Sequence, residues 1–133
     1  MPTPHETLAR FFPAMFNDDR ETLRELITTD IEWHVPPFAV GNFGELHGCE
    51  AILDFLCTGG DAFYRPGSFS METEVQAIED DRAVVICRFD ALTIHDQPYS
   101  NRYAFGFRFR QGRICEAWEL IDSLRFRDQL NLP

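Results

Sequence analysis

The sequence has few basic residues for its number of acidic ones. Twelve Lys and Arg side chains stand against 22 Asp and Glu side chains among 133 residues, and the formal net charge is −10 at pH 7. No stripe of basic side chains interrupts this excess of negative charge. Because phosphate backbones and anionic lipid surfaces repel such a protein, we expect no nucleic acid and no membrane among its partners.

The sequence also has no long apolar run, no signal-peptide pattern and no C-x-x-C pair. A membrane-spanning helix would need about 20 consecutive apolar residues. The four cysteines are scattered along the chain, at Cys49, Cys57, Cys87 and Cys115. Their spacing indicates neither a zinc site nor a redox motif. We therefore expect reduced thiols, no metal and a cytoplasmic location.

No repeat, low-complexity tract or linker divides the chain, so residues 1–133 are predicted to form a single domain. Apolar residues recur at helical spacing over residues 8–16, where Pro13 is predicted to kink the helix or to mark its start. Asp18 and Glu21 resemble a capping box that begins a short second helix. A third helix is predicted over residues 50–58, after a loop over residues 38–48.

Strands dominate the rest of the sequence, because the period of the apolar residues becomes two. An early strand over residues 31–35 has Ile31, Trp33 and Val35 on one face. Long strands are predicted from residue 69, over residues 82–94, 99–110 and 113–121, with a short helix at the end. Gln111-Gly112 is a tight hairpin signal.

Helices that precede strands are typical of an α+β fold. We predict a curved antiparallel sheet wrapped around the N-terminal helices, in the shape of a cone-shaped α+β barrel. A curled sheet around few helices leaves a hollow, and this hollow predicts a small-molecule pocket.

Arg88 and Asp90 share one face of the strand over residues 82–94. If that face is concave, a charged pair lies inside the protein, where such pairs often mark a functional site. The spacing alone favours the other interpretation, a solvated pair at the sheet rim or a structural ion pair.

Two further polar residues have two interpretations each. Asp122 ends the last strand and is either the N-cap of the terminal helix or a carboxylate at the pocket mouth. His34 lies on the opposite face from Trp33, with Glu32 beside it, and is either a structural histidine or a residue that moves a proton near neutral pH.

The strand over residues 99–110 has one aromatic face and one face of small residues. Tyr103, Phe105, Phe107 and Phe109 form the aromatic row, and Arg102, Ala104 and Gly106 lie opposite. We favour a concave face lined by the small residues, with the aromatic row on the convex face as a homodimer interface. In the alternative, the aromatic row fills the cone. The predicted pocket residues are Trp33, Glu32, Leu92, Ala104, Gly106 and Trp118.

Three segments resemble the nuclear-transport-factor-2-like superfamily, in its SnoaL-like or ketosteroid-isomerase-like branch. They are DIEWHVPP at residues 30–37, HGCEAILDFL at residues 47–56 and NRYAFGFRFRQGRICEAWELID at residues 101–122. The sequence RFD at residues 88–90, with Asp122, is similar to the Asp-Arg-Asp constellation of limonene epoxide hydrolase. The resemblance to SnoaL-like polyketide cyclases implies instead that Asp122 is an acid/base without metal or cofactor.

These observations together predict a cofactor-independent enzyme that acts on a small, largely apolar molecule by carboxylate acid/base chemistry, as an isomerase, cyclase or epoxide hydrolase. The predicted catalytic residues are Asp122, Asp90, Arg88 and His34. A non-catalytic domain for hydrophobic-ligand binding or dimerisation is the alternative.

Overall fold

Four helices and a six-stranded sheet make up the fold in a computed structural model that describes residues 1–35 and 44–130. The helices are α1 (Pro4–Phe16), α2 (Arg20–Leu26), α3 (Cys49–Thr58) and α4 (Ser123–Gln129). The strands are β1 (Ile27–His34), β2 (Glu45–His47), β3 (Ser70–Glu79), β4 (Arg82–Leu92), β5 (Pro98–Arg110) and β6 (Arg113–Ile121). The predicted α+β fold class is confirmed.

The sheet is curved and open, with strand order β2-β1-β6-β5-β4-β3. All neighbouring strands are antiparallel except β1 and β6, which run parallel. Most of the chain lies between β1 and β6, so no hairpin forces them to be antiparallel. The three-residue strand β2 falls where a loop was predicted, and the predicted end of β1 at Pro36-Pro37 lies outside the described residues.

Capping determines where the first two helices begin. Thr3 and Glu6 form a reciprocal capping box, so α1 starts at Pro4 and Pro13 lies inside it rather than at its start. The carboxylate of Asp19 accepts a hydrogen bond from the backbone N–H of Thr22 at 3.1 Å, which makes Asp19 the N-cap of α2. The predicted cap, Asp18, instead has a φ of 52° and turns the chain.

The hairpin between β5 and β6 forms at Gln111-Gly112, as predicted. These residues have φ values of 52° and 77°, the left-handed conformation that a two-residue hairpin of type I′ requires. Arg110 and Arg113 close the turn as paired residues. A side chain at position 112 would also collide with the carbonyl oxygen of Pro2.

Helices α1 and α3 cover the inner face of the sheet with aromatic contacts. The Phe11 ring stacks on Trp33 with centroids 6.0 Å apart, and Phe12 meets Phe105 edge-on at 5.6 Å. Phe55 of α3 also packs against Trp33. Trp33 lies on the inner face of β1, so this part of the sequence pattern is confirmed.

The aromatic row of β5 is buried against these helices, contrary to the favoured prediction. Its members, Tyr103, Phe105, Phe107 and Phe109, are all less than one tenth exposed. Burying four aromatic side chains is favourable because each ring removes a large apolar area from water. This gain decides which face points inward, and the charged pair on β4 is left on the solvated face. The row therefore fills the cone and is unavailable as a dimer interface.

No helix among residues 1–35 and 44–130 is both long and apolar enough to cross a membrane.

Candidate functional site

A cavity of about 140 Å³ lies between the inner face of the sheet and the helices. Strands β4, β5 and β6 form its floor, and the ends of α1 and α3, with the segment that follows α3, form its walls. Ten of the 22 residues in its described lining are aromatic. The aromatic side chains are Phe16, Phe55, Phe63, Tyr64, Phe69, Phe89, Tyr99, Tyr103, Phe105 and Phe126.

Glu119 places a carboxyl group in this apolar lining. It pairs with Phe105 across β5 and β6, and this register turns its side chain toward the cavity with the aromatic row. The indole N–H of Trp33 donates a hydrogen bond to Glu119 Oε1 at 3.3 Å. Desolvation raises the pKa of Glu119 to about 7, and the Trp33 hydrogen bond opposes this rise.

Three tyrosines form a network in the same cavity. The hydroxyl oxygens of Tyr99 and Tyr103 are 2.9 Å apart, and the buried amide of Asn101 donates to Tyr99 Oη at 3.0 Å. The Tyr64 ring packs against Tyr99 with centroids 5.1 Å apart. Burial raises the pKa of all three phenols, and the charge of Glu119 adds to the rise. The hydroxyls therefore stay protonated at neutral pH and can donate hydrogen bonds.

Two more carboxylates line the cavity, Asp18 and Asp61. The pKa of Asp18 is raised by desolvation and, to a smaller extent, by the charge of Asp61. No Arg or His belongs to the lining among the described residues. The cavity is thus apolar and aromatic, and the charged side chains in its described lining are all acidic.

Arg88 and Asp90, predicted to face the cavity, lie on the outer face of β4. Their side chains are 49% and 46% exposed. Arg88 Nε is 3.6 Å from Asp90 Oδ2, and its Nη2 is 3.4 Å from Glu72 Oε2 on β3. The concave placement was wrong, because Phe89 and its alternate neighbours occupy the inner face. The pair is the solvated ion pair that the sequence also allowed.

Asp122 does not meet Arg88 and Asp90. Its side chain is exposed, and its Oδ1 accepts a hydrogen bond from the backbone N–H of Arg125 at 3.0 Å. Asp122 is therefore the N-cap of α4, which is one of its two predicted roles.

None of the six predicted pocket residues belongs to the described cavity lining. Leu92, Ala104, Gly106, Trp118 and Glu32 lie on the outer face of the sheet. Their placement there follows from the same reversed assignment of the two faces. Trp33 is inside, fully buried in the core, and reaches the site through its hydrogen bond to Glu119.

His34 belongs to a polar cluster on the outer face. Its Nε2 is 2.9 Å from Glu116 Oε2, and its ring stacks on Trp118 with centroids 5.3 Å apart. Within the described chain, Glu32, His34 and Glu116 bring ligand atoms within 4.8 Å of one another and could hold a metal ion. Arg108 already lies 3.2 Å from Glu116 and neutralises part of this charge. The cluster is on the opposite side of the sheet from the cavity.

Sequence reasoning missed Glu119, Tyr64 and Tyr99 as site residues, and gave Tyr103 a different role. Glu119 shares a face of β6 with Ala117 and Ile121, and this alternation was a usable signal. It becomes informative only when the aromatic row of β5 is known to face inward, because the register then carries Glu119 to the same side.

Comparisons with known proteins identify the family of the chain and solved structures with the same fold. The family model of the SnoaL-like domain matches residues 8–117. An NTF2-like protein of unknown function from Burkholderia pseudomallei superposes with a TM-score of 0.85 at 15% identity, over 98% of each chain. No curated protein matches the sequence.

Two further solved structures come from proteins for which an activity has been suggested but not established. IdmH from Streptomyces antibioticus, suggested to be a polyketide cyclase, has a TM-score of 0.80 and 24% identity, over 97% of this chain and 99% of its own. A protein from Rhodopseudomonas palustris, suggested to be an isomerase, has a TM-score of 0.78 and 25% identity, over 92% of this chain and 94% of its own.

Proposed function

The chain belongs to the SnoaL-like domain family, and we propose that it is a cofactor-independent enzyme in which Glu119 transfers a proton to and from a small apolar molecule. One observation carries the proposal: a carboxyl group lies in an aromatic cavity beside three tyrosines. The carboxylate chemistry predicted from the sequence is retained, but the carboxylate is a different one.

The environment of Glu119 suits proton transfer. A general base or acid is most effective when its pKa is close to the working pH, and desolvation raises the pKa of Glu119 to about 7. Near neutral pH the group is present in both forms, so it can remove a proton from carbon and return it at another position. Trp33 holds the carboxyl through its indole N–H and so orients it.

The tyrosines supply the complementary part of the chemistry. Removal of a proton next to a carbonyl places negative charge on the carbonyl oxygen. The phenols of Tyr99 and Tyr103 stay protonated; one of their two protons is used in the hydrogen bond between them, and the other can be donated to that oxygen. Asn101 donates to Tyr99 Oη and so holds the phenol by its oxygen rather than by its proton. Isomerisation and ring closure can both proceed through such an enolate, and proteins for which these two reaction types have been suggested share the fold.

Deuterium exchange into acetophenone tests the proposal without knowledge of the natural substrate. The Glu119 carboxylate should remove a proton from the methyl carbon, the carbonyl oxygen should take up the charge, and a deuteron from D2O should return. We expect NMR to show faster exchange with the protein than without it, with the rate rising through an inflection near pH 7 as the carboxylate ionises. Glu119→Gln should lower the catalysed rate by about 10²-fold or more.

Glu79→Gln, at an exposed position on β3, is the matched control and should exchange at the wild-type rate. Equal exchange by Glu119→Gln and wild type would overturn the assignment of Glu119. Binding of the ketone without any catalysed exchange would favour the alternative function of a non-catalytic binding domain.

We also propose a homodimer through the outer face of the sheet, on grounds other than the aromatic row. Two cross-strand rows there are apolar: Val84, Gly106 and Trp118 form one, and Ile86, Ala104 and Leu120 form the other. Val84 is 49% exposed and Leu120 66% exposed. Contiguous exposed apolar surface of this kind is typical of an interface.

The four cysteines are unpaired, which suits a cytoplasmic location.

A further inference from the structure

The cavity has the size of one aromatic ring. An apolar cavity of about 150 Å³ is known to accept benzene, and this one, which is partly open to solvent, has a volume of about 140 Å³. Phe16, Phe55, Phe89 and Phe105 are among its walls, and they offer ring edges and faces to a flat ligand. A second fused ring would not fit within this volume unless packed side chains moved, since protein interiors adjust poorly to added volume.

The charges around the cavity all have the same sign. Its described lining contains three carboxyl groups, those of Asp18, Asp61 and Glu119, and no basic side chain. The chain has no lysine. Residues 36–43 and 131–133, which the structure does not describe, contain no Arg or His either. The chain segments beyond the description therefore bring no cation that could neutralise a negative ligand.

We propose that the cavity selects a single-ring molecule that has no negative charge and rejects the carboxylate of the same size. The proposal rests on the proposed function in one respect, that the ligand lies against Glu119 and the tyrosines. A buried carboxylate needs a paired cation or several hydrogen-bond donors. The tyrosines offer donors, but Glu119 repels the charge at short range inside a medium of low dielectric constant. An amide or ketone oxygen accepts the same hydrogen bonds without that repulsion.

Binding of benzamide and benzoate measures the charge preference directly. The two molecules have nearly the same shape, and neither has a proton that the proposed reaction removes. In NMR titrations of the protein at pH 8, we expect benzamide to shift signals from residues around the cavity and benzoate to bind at least tenfold more weakly. In Glu119→Gln, which keeps the shape of the side chain, the difference should narrow by at least threefold. Glu79→Gln should bind both as wild type does.

The result that overturns the charge preference is benzoate binding as tightly as benzamide. If the difference in affinity between benzamide and benzoate is the same in Glu119→Gln as in wild type, Glu119 is not the cause of the charge preference. The size limit is tested with 2-naphthamide, which should bind more weakly than benzamide; tighter binding would overturn it.

These outcomes are separable from those of the proposed function. If the protein binds benzamide selectively but does not catalyse deuterium exchange, the charge preference holds and the proposed enzymatic function is wrong. If the protein catalyses deuterium exchange but binds benzoate as tightly as benzamide, the proposed enzymatic function holds and the charge preference is wrong.

Discussion

Glu119, a half-buried residue, bears an electrostatic penalty that most carboxyl groups avoid. Within the described part of the chain its carboxyl has one hydrogen bond, from Trp33, and it lies among aromatic rings. Charging it inside the protein is unfavourable, so its pKa rises from 4.5 to about 7. Residues that weaken stability in this way are often kept for function.

The penalty predicts a pH dependence of stability. Below about pH 4.5 Glu119 is neutral in both the folded and the unfolded protein, and no penalty exists. Between pH 4.5 and 7 the unfolded form ionises first, so the folded state loses stability progressively, and above pH 7 the loss is complete at roughly 3 kcal/mol. Glu119→Gln should therefore gain stability over wild type as pH rises from 4.5 to 8, in urea denaturation experiments.

The control for this measurement is Glu79→Gln, which removes one negative charge from an exposed site. It should not reproduce the gain. If the difference in unfolding free energy between Glu119→Gln and wild type is the same at pH 4.5 and pH 8, the Glu119 carboxyl is not desolvated.

At the scale of secondary-structure elements, Asp122 links the last strand to α4. Its carboxylate caps the helix at the Arg125 N–H, and its backbone carbonyl accepts a hydrogen bond from Asn101 at 3.0 Å. Helix α4 in turn buries Phe126 against the rings of Phe63 and Tyr99. The cap thus helps to hold one wall of the cavity in place.

Substitutions at Asp122 separate capping from catalysis. Asn caps helices about as well as Asp, so Asp122→Asn should keep both stability and deuterium exchange close to wild type. Asp122→Ala should lose roughly 1 kcal/mol in urea denaturation. If Asp122→Asn abolished exchange while the protein kept its stability, the carboxylate would have a catalytic role after all.

At the scale of the whole molecule, the sheet has one face for the cavity and one apolar stripe that faces solvent. Charged pairs such as Arg102 with Glu74 and Arg88 with Glu72 border the stripe, as at a polar rim. The proposed dimer would cover this stripe and leave the cavity accessible from the other side of the sheet.

Sedimentation of a charged variant tests the dimer. Wild type should sediment as a dimer at tens of micromolar, and Leu120→Arg as a monomer, because an unpaired guanidinium in the centre of an interface is strongly unfavourable. Leu124→Arg alters an equally exposed leucine on α4, away from the stripe, and should remain dimeric. A wild-type monomer at this concentration would contradict the proposal.

The sequence by itself determined the order of the elements and the composition of each strand face. Alternation is a property of the local backbone, so Tyr103, Phe105 and Phe107 had to share a side, and Arg88 and Asp90 another. Strong turn chemistry placed the Gln111-Gly112 hairpin in the same way. These features depend only on neighbours along the chain.

Only the tertiary structure decided which face of the sheet points inward and which carboxyl lines the cavity. The inward face is chosen by the total apolar area that the helices can bury, and the aromatic row of β5 offered more than the small residues opposite. Glu119 then entered the cavity through its register with Phe105. Pairing between separate strands and burial against distant helices are non-local, so no pattern within one strand could reveal them.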